Sequence, residues 1–408
     1  MSAKRFVILG NSAAAIHAIK AIRLFDQVSE IVLVSAEQVF AYSPVLTTYL
    51  IGRRIHREEM FIADEQFYTD NNVNTVFGVH ATKVDPEKKQ IVLADGQTLF
   101  YDACLIATGS SPKQLDVSGQ DLEGVFYLKT LADAENILAY SGKAQDALVI
   151  GGGLIGLQAA NSLHGQGRKV TMLVGSKQLL SQNVDEICAD MLAGALKKAG
   201  VNIVFQRNVC DIKPQGGRLS ATLNNTETIS ADMVVIGKGV QANTALVADS
   251  EIALKRGILV DEFARTNYPD VYAAGDVAEG PDFLSGEHVV VANWLNACRQ
   301  GHAAGSNMAG QSSIYTNLSE NVTTVFGTVI AVLGLCTCDS ASDETIYYNP
   351  DEAIYRKIVR NKRGELVGAV LLNEVGDVGL LSTAIRKREV IDKTYAEQIV
   401  RSAFPFKV

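Results

Sequence analysis

The stretch Val149 to Ala159, VIGGGLIGLQA, restricts the fold of this chain more than any other. An apolar strand runs into Gly151, Gly153 and Gly156, and a helical pattern opens within the same few residues. The first glycine permits a tight turn, the second lets a pyrophosphate approach the backbone, and the third lets the helix pack on the sheet. Unpaired N–H groups and the dipole at a helix start favour negative charge, so the motif reads as a nucleotide site. A glycine-rich turn made only for packing is the competing reading.

A second stretch, ILGNSAAAIHA from Ile8 to Ala18, has the same layout with fewer glycines. Gly10 is kept, and Ser12 and Ala15 stand at the second and third positions. Alanine is permitted at the third, and serine costs one Cβ near a phosphate while offering a hydroxyl donor. Glu30 to Val34 supplies the next strand, and Glu37 follows its end, where an acid can take ribose hydroxyls. An exposed loop carboxylate with no ligand reads the same way.

Around both motifs, strand-like runs alternate with helical ones: Arg5 to Leu9, Ala13 to Leu24, Glu30 to Val34, then Leu148 to Ile150, Leu154 to His164, Val170 to Val174 and Val184 to Lys198. This rhythm predicts βαβ units, a parallel sheet and helices on both faces. Asn208 to Thr228 reads as a β-meander. After Asn321 strands dominate, and AIYRKIVRNKRGELVGAVLL reads as a hairpin turning at Asn361 to Gly364, in a separate C-terminal α+β module. The fold class expected is α/β, with two Rossmann-like dinucleotide-binding domains and that added module.

Composition removes several classes of function. With 37 basic and 45 acidic residues the net charge is −8, and no basic run offers a footprint for nucleic acid. The N-terminus turns polar too soon for a signal peptide, and Val322 to Cys336 is too short and interrupted to span a bilayer. A cytoplasmic protein without membrane insertion is expected. Among the 6 cysteines only Cys336 and Cys338 lie close, and with the 6 histidines scattered no metal site is expected.

Four longer segments carry a resemblance. YDACLIATGSSP (Tyr101 to Pro112), VFYLKTLADAENI (Val125 to Ile137), DMVVIGKGVQANTAL (Asp232 to Leu246) and GILVDEFARTNYPDVYAAGDVAE (Gly257 to Glu279) resemble the FAD-dependent pyridine nucleotide-disulfide oxidoreductase superfamily. Within it they are most similar to the NADH:rubredoxin reductase and nitrite reductase flavoprotein branch, and NWLNACRQGHAAGSNMAG (Asn293 to Gly310) extends the likeness. The resemblance implies a discontinuous FAD domain (1–115 and 242–320), an inserted NAD(P) domain (116–241) and a C-terminal interface domain (321–408). It places Ala107, Thr108 and Gly109 at a crossover beside the flavin, and Asp276 on the ribityl chain. An N-cap for a following helix is the other reading of Asp276.

The reactive positions depart from the family. In YSPVLTTYLIG (Tyr42 to Gly52) Val45 falls where relatives carry a redox cysteine, so no thiolate can form there. A lysine and a glutamate of the reductase branch are replaced by Thr48 and Gln158, two neutral groups exchanged together, as burial demands. Gln158 is then expected to be free for the nicotinamide or the flavin edge. Val174 stands where an acid would hold the adenosine ribose, with Lys177 close behind, which leaves NAD(H) favoured and NADP(H) open.

The resulting expectation is a flavoprotein that moves electrons between nicotinamide and a one-electron iron-sulfur carrier, acting as the NADH-linked FAD subunit of a multi-subunit enzyme similar to 2-oxoacid:acceptor oxidoreductases. A stand-alone NADH:rubredoxin or ferredoxin reductase, and a redox sensor binding both cofactors, are the alternatives. Partner subunits, an electron-carrier protein or a second copy of the chain are the expected associates.

Overall fold

The computed structural model describes residues 3–336 and 343–401. Two compact units emerge: Met1–Val45, Arg57–Ser111 and Val240–Leu318 form one, and Leu46–His56, Pro112–Gly239 and Ser319–Val408 the other.

In the first unit, five parallel strands stand in the order Val271–Ala273, Ala103–Ile106, Arg5–Leu9, Glu30–Ser35, Val73–Phe77. The expected strand and helix of the Gly10 motif are present as Arg5–Leu9 and Ala13–Phe25. Because the sheet is covered on both faces, its central strand is a continuous apolar run. Phe6 and Ile8 enter one core, Val7 and Leu9 the other. A three-stranded antiparallel ribbon, Ala81–Asp85, Gln90–Leu93 and Thr98–Phe100, adds an element the sequence pattern did not signal.

Alanines of the Gly10 motif also serve a helix seam. A Cβ on Gly301 would overlap the carbonyl of Ala14, and one on Gly305 that of Ala18, so helices Ala13–Phe25 and Trp294–Met308 meet backbone to backbone. Gly301→Ala is expected to cost about 3 kcal/mol by overpacking. Gly194 in helix Glu186–Lys198 has open space around its Cβ, so Gly194→Ala should stabilise by up to about 1 kcal/mol. Denaturant midpoints of the two variants, moving in opposite directions, check both statements.

The second unit holds a second five-stranded parallel sheet, ordered Asn202–Phe205, Lys169–Val174, Asp146–Ile150, Met233–Ile236, Val125–Tyr127. Helix Leu154–Gly165 follows its central strand, as the glycine motif predicts. The expected meander is the antiparallel sheet Val209–Gln215, Arg218–Leu223, Thr228–Ala231. The C-terminal part is an antiparallel sheet of five strands with helices Val378–Lys387 and Lys393–Arg401, and its hairpin Ile354–Arg360/Leu366–Leu372 turns at the expected residues. Cys336 is buried, and Cys338 lies outside the described residues. Among the described residues no helix is long and apolar enough to cross a membrane.

Candidate functional site

In the first unit, Gly10 has φ +120, and a Cβ there would overlap the carbonyl oxygen of Ala107. The turn at the strand end therefore needs glycine for both torsion and space. Ser12 is the N-cap of helix Ala13–Phe25 but makes no side-chain cap bond, so its hydroxyl does not take up the N–H groups of the helix's first turn. Ala15 is fully buried and takes the packing place of the third glycine. Asn11 locks the loop: its Nδ2 donates to the carbonyl of Val39 (3.2 Å), and its Oδ1 accepts from the hydroxyl of Tyr68 (2.8 Å). Glu37 is exposed after the second strand and accepts from the Tyr42 hydroxyl at 2.9 Å.

The crossover residues sit at the carboxyl end of the same sheet. Thr108 donates through Oγ1 to the carbonyl of Asn243 (3.0 Å), and Nδ2 of Asn243 donates to the carbonyl of Thr108 (2.9 Å). Asn243 also donates its N–H to the Gly109 carbonyl and accepts from the Ser111 hydroxyl (2.7 Å). Thr108 is thereby a brace of the crossover, and its hydroxyl is already engaged. Asp276, half-buried, accepts from the Ser110 hydroxyl at 2.6 Å. Gly275 before it has φ +83 and donates its N–H to Oε1 of the buried Gln300 at 2.7 Å. No helix follows Asp276; the strand Ala278–Pro281 does, so the N-cap reading is set aside. Nothing in the sequence alone singled out Asn243, Ser110 or Gln300, whose roles depend on partners remote in the chain.

The second cradle repeats the plan with all its glycines. Gly151 has φ +129 and its Cβ would overlap the Gly237 carbonyl, while a Cβ on Gly156 would overlap the Gly151 carbonyl. Gly153 is different. As N-cap of helix Leu154–Gly165 it has ordinary extended torsions, makes no side-chain cap and has no atom within 4 Å of its Cβ position. Nothing in the protein's packing requires glycine there, and its bare backbone leaves room for close approach at the helix start. Val174 is buried, and its Cγ1 lies 2.6 Å from where a Gly152 Cβ would be, so it leaves room only for glycine there. Lys177 faces Glu186 at 3.7 Å with both side chains about two-thirds exposed (66% and 69%).

Thr48 and Gln158 both belong to the second unit, and no hydrogen bond joins them. The carboxamide of Gln158 is not free as expected: its Nε2 donates to Oγ1 of Thr323 at 2.7 Å. The cause is a strand of the C-terminal sheet, Glu320–Val325, which runs beside the glycine-motif helix. Thr48 is 1% exposed with no hydrogen-bond partner for its hydroxyl, and its carbonyl accepts from the Ser162 hydroxyl at 2.6 Å. An orphaned buried hydroxyl costs about 1–3 kcal/mol unless a ligand completes it.

Val45 is 46% exposed where a thiolate would have to stand. Burial pushes the thiols of Cys104, Cys188 and Cys298 up from their ordinary value, which opposes thiolate formation. Among the described residues no group of His, Cys, Asp and Glu side chains could hold a metal ion.

Comparison with known proteins agrees with two dinucleotide cradles. Residues 4–301 match the family model described as pyridine nucleotide-disulphide oxidoreductase. The chain is 30% identical over 387 residues to the NADH-dependent phenylglyoxylate dehydrogenase subunit epsilon of Aromatoleum evansii, covering 94% of this chain and 92% of that protein. It is 28% identical over 309 residues to the rubredoxin-NAD(+) reductase of Pseudomonas putida, covering 75% and 80% respectively. Its fold matches that of a ferredoxin reductase from Rhodopseudomonas palustris with a TM-score of 0.90 at 22% identity, over 98% of both chains. The chain thus belongs to the pyridine nucleotide-disulphide oxidoreductase family and is an FAD-dependent NAD(P)H oxidoreductase.

Proposed function

We propose that this chain carries electrons between NAD(H) and a one-electron iron-sulfur acceptor outside itself, as the NADH-linked flavoprotein subunit of a larger redox enzyme. The observation that carries this reading is two dinucleotide cradles with valine where a redox thiol would be needed. With valine at that position, the reading has electrons leave the chain from the flavin. The relative in Aromatoleum evansii, named as a subunit of an NADH-dependent dehydrogenase, matches over nearly the whole of both chains and supports the subunit role.

In this reading Gly10, Ser12 and Ala15 seat the FAD pyrophosphate on the first helix, and Glu37 takes its ribose. Ala107, Thr108 and Gly109 line the flavin side, with Asn243 fixing their backbone, and Asp276 accepts hydrogen bonds from the sugar-alcohol chain. Gly151, Gly153 and Gly156 seat the nicotinamide nucleotide. Thr48 and Gln158 contribute uncharged hydrogen-bonding groups at the reacting end. Together the bound cofactors supply hydride transfer and its onward release as single electrons; the residues supply binding, orientation and exclusion of water.

Lys177 already faces a carboxylate, which also repels a 2′-phosphate, so NADH is the expected donor. Its kcat/KM in dye reduction should exceed that of NADPH by about tenfold, or 1.4 kcal/mol. The opposite preference would overturn the assignment.

A stand-alone electron-carrier reductase is the second reading, favoured by the match to the rubredoxin reductase over 75% of this chain. Anaerobic mixing of the NADH-reduced protein with rubredoxin, ferredoxin or benzyl viologen separates the two. Fast re-oxidation by the viologen alone, with partner chains co-purifying, supports the subunit. Fast re-oxidation by a free carrier supports the reductase. Failure of either nucleotide to bleach the flavin leaves a sensor.

A further inference from the structure

The helix that opens at Gly153 is clasped from outside by the hairpin Glu320–Val325/Thr328–Gly334, which belongs to the same unit. Gln158, Asn161 and His164 recur every three residues and so present one helix face. Each meets the hairpin. Nε2 of Gln158 donates to Thr323 Oγ1 (2.7 Å), Oδ1 of Asn161 accepts the N–H of Phe326 (2.7 Å), and the ring of His164 lies 5.4 Å from that of Phe326. His164 is itself held by a ring nitrogen 2.9 Å from the carbonyl of Ala199.

The hairpin tip is strained. Phe326 has φ +49 and Gly327 φ +74, the double left-handed turn that hairpins favour, but with a bulky residue in the first place. Such a conformation is unfavourable for a bulky residue and persists where surrounding contacts over-determine it. Asn161 and His164 are those contacts. They fix the tip on the helix and thereby the register of Thr323, three residues earlier, against Gln158.

We propose that Thr323 is a positioning residue for the nicotinamide nucleotide, acting through Gln158. The half-buried Gln158 lies one turn into the fingerprint helix, and its amide nitrogen is engaged by Thr323. Among the described residues its Oε1 has no protein partner. In this orientation Nε2 is engaged by Thr323, and Oε1 is left as an acceptor for a ligand N–H such as the nicotinamide amide. Without the Thr323 hydroxyl the amide turns over freely and offers donor and acceptor alike. The C-terminal sheet then shapes nucleotide recognition from outside the domain that holds the glycines. This inference rests on the reading of Gly151, Gly153 and Gly156 as the nicotinamide-nucleotide cradle.

The test compares dissociation constants for NADH and for ADP-ribose, which keeps the pyrophosphate but lacks the nicotinamide, in Thr323→Val, Thr323→Ser and Gln158→Leu holoproteins. Thr323→Val should weaken NADH about fivefold, the size of one neutral hydrogen bond, and leave ADP-ribose unchanged. Thr323→Ser should restore NADH binding, and Thr323→Val should have no added effect in the Gln158→Leu background. Equal losses for both ligands, failure of serine to rescue, or additive effects of the two substitutions would overturn the positioning role. If ADP-ribose does not bind the unsubstituted protein at all, the cradle assignment itself has failed, a result distinct from the others.

Discussion

Gly153→Val is expected to give a folded, yellow protein that NADH no longer reduces. Open space surrounds the Gly153 Cβ and the backbone is in an ordinary extended conformation, so the folded state should tolerate the side chain. Stability should change by no more than about 0.5 kcal/mol, as for surface positions without special torsions. The pyrophosphate, in contrast, would meet two methyl groups at the helix N-terminus where it must touch backbone N–H groups. A loss of two or more such charge-assisted bonds, each worth about 1.5–3 kcal/mol, raises the NADH dissociation constant by at least about a hundredfold. Thermal unfolding and an NADH titration of the same sample check both halves. Gly151→Val is the contrasting variant, since its Cβ would overlap the Gly237 carbonyl and φ is +129; it should lose stability as well as binding.

Asp276→Leu should yield a protein that is purified largely without FAD. The carboxylate is half-buried at the end of the strand Val271–Ala273 and is oriented by the Ser110 hydroxyl at 2.6 Å. Removing it takes away an acceptor for the ligand and leaves Ser110 with an unmatched donor. At about 1.5–3 kcal/mol for each bond to a charged group, FAD affinity should fall by roughly ten- to a hundredfold or more. The flavin content of the purified variant and its reconstitution with added FAD measure this. Ser110→Ala, which removes only the orienting hydroxyl, should weaken FAD by about tenfold at most. A full complement of tightly held FAD in Asp276→Leu would remove Asp276 from the site.

The elements that carry the glycines were legible because their signals are local. An apolar strand, a turn that only glycine fits and an amphipathic helix all lie within a few neighbouring residues, so Arg5–Leu9, Ala13–Phe25 and Leu154–Gly165 appear where the patterns put them. In the first fingerprint Ala15 is fully buried, and Ala14 and Ala18 meet glycines supplied by the helix Trp294–Met308. What stayed hidden depends on distance along the chain. Asn243 braces Thr108 from 135 positions away, and Thr323 engages Gln158 from 165 positions away. Neither contact leaves a periodicity or a spacing to read. For the same reason Gln158 was expected to be free: its environment is set by a strand that sequence pattern could place in a separate module but could not align with the helix.

The central claim is that electrons enter from NADH, rest on FAD alone and leave the chain without passing through a thiol pair. Counting electrons tests it most directly. Purified holoprotein is titrated anaerobically with NADH while the visible flavin band is followed. Complete bleaching at one equivalent of NADH per FAD is the result expected, because hydride delivers two electrons and the flavin takes both. A requirement for two equivalents would reveal a second two-electron acceptor within the chain and contradict the account.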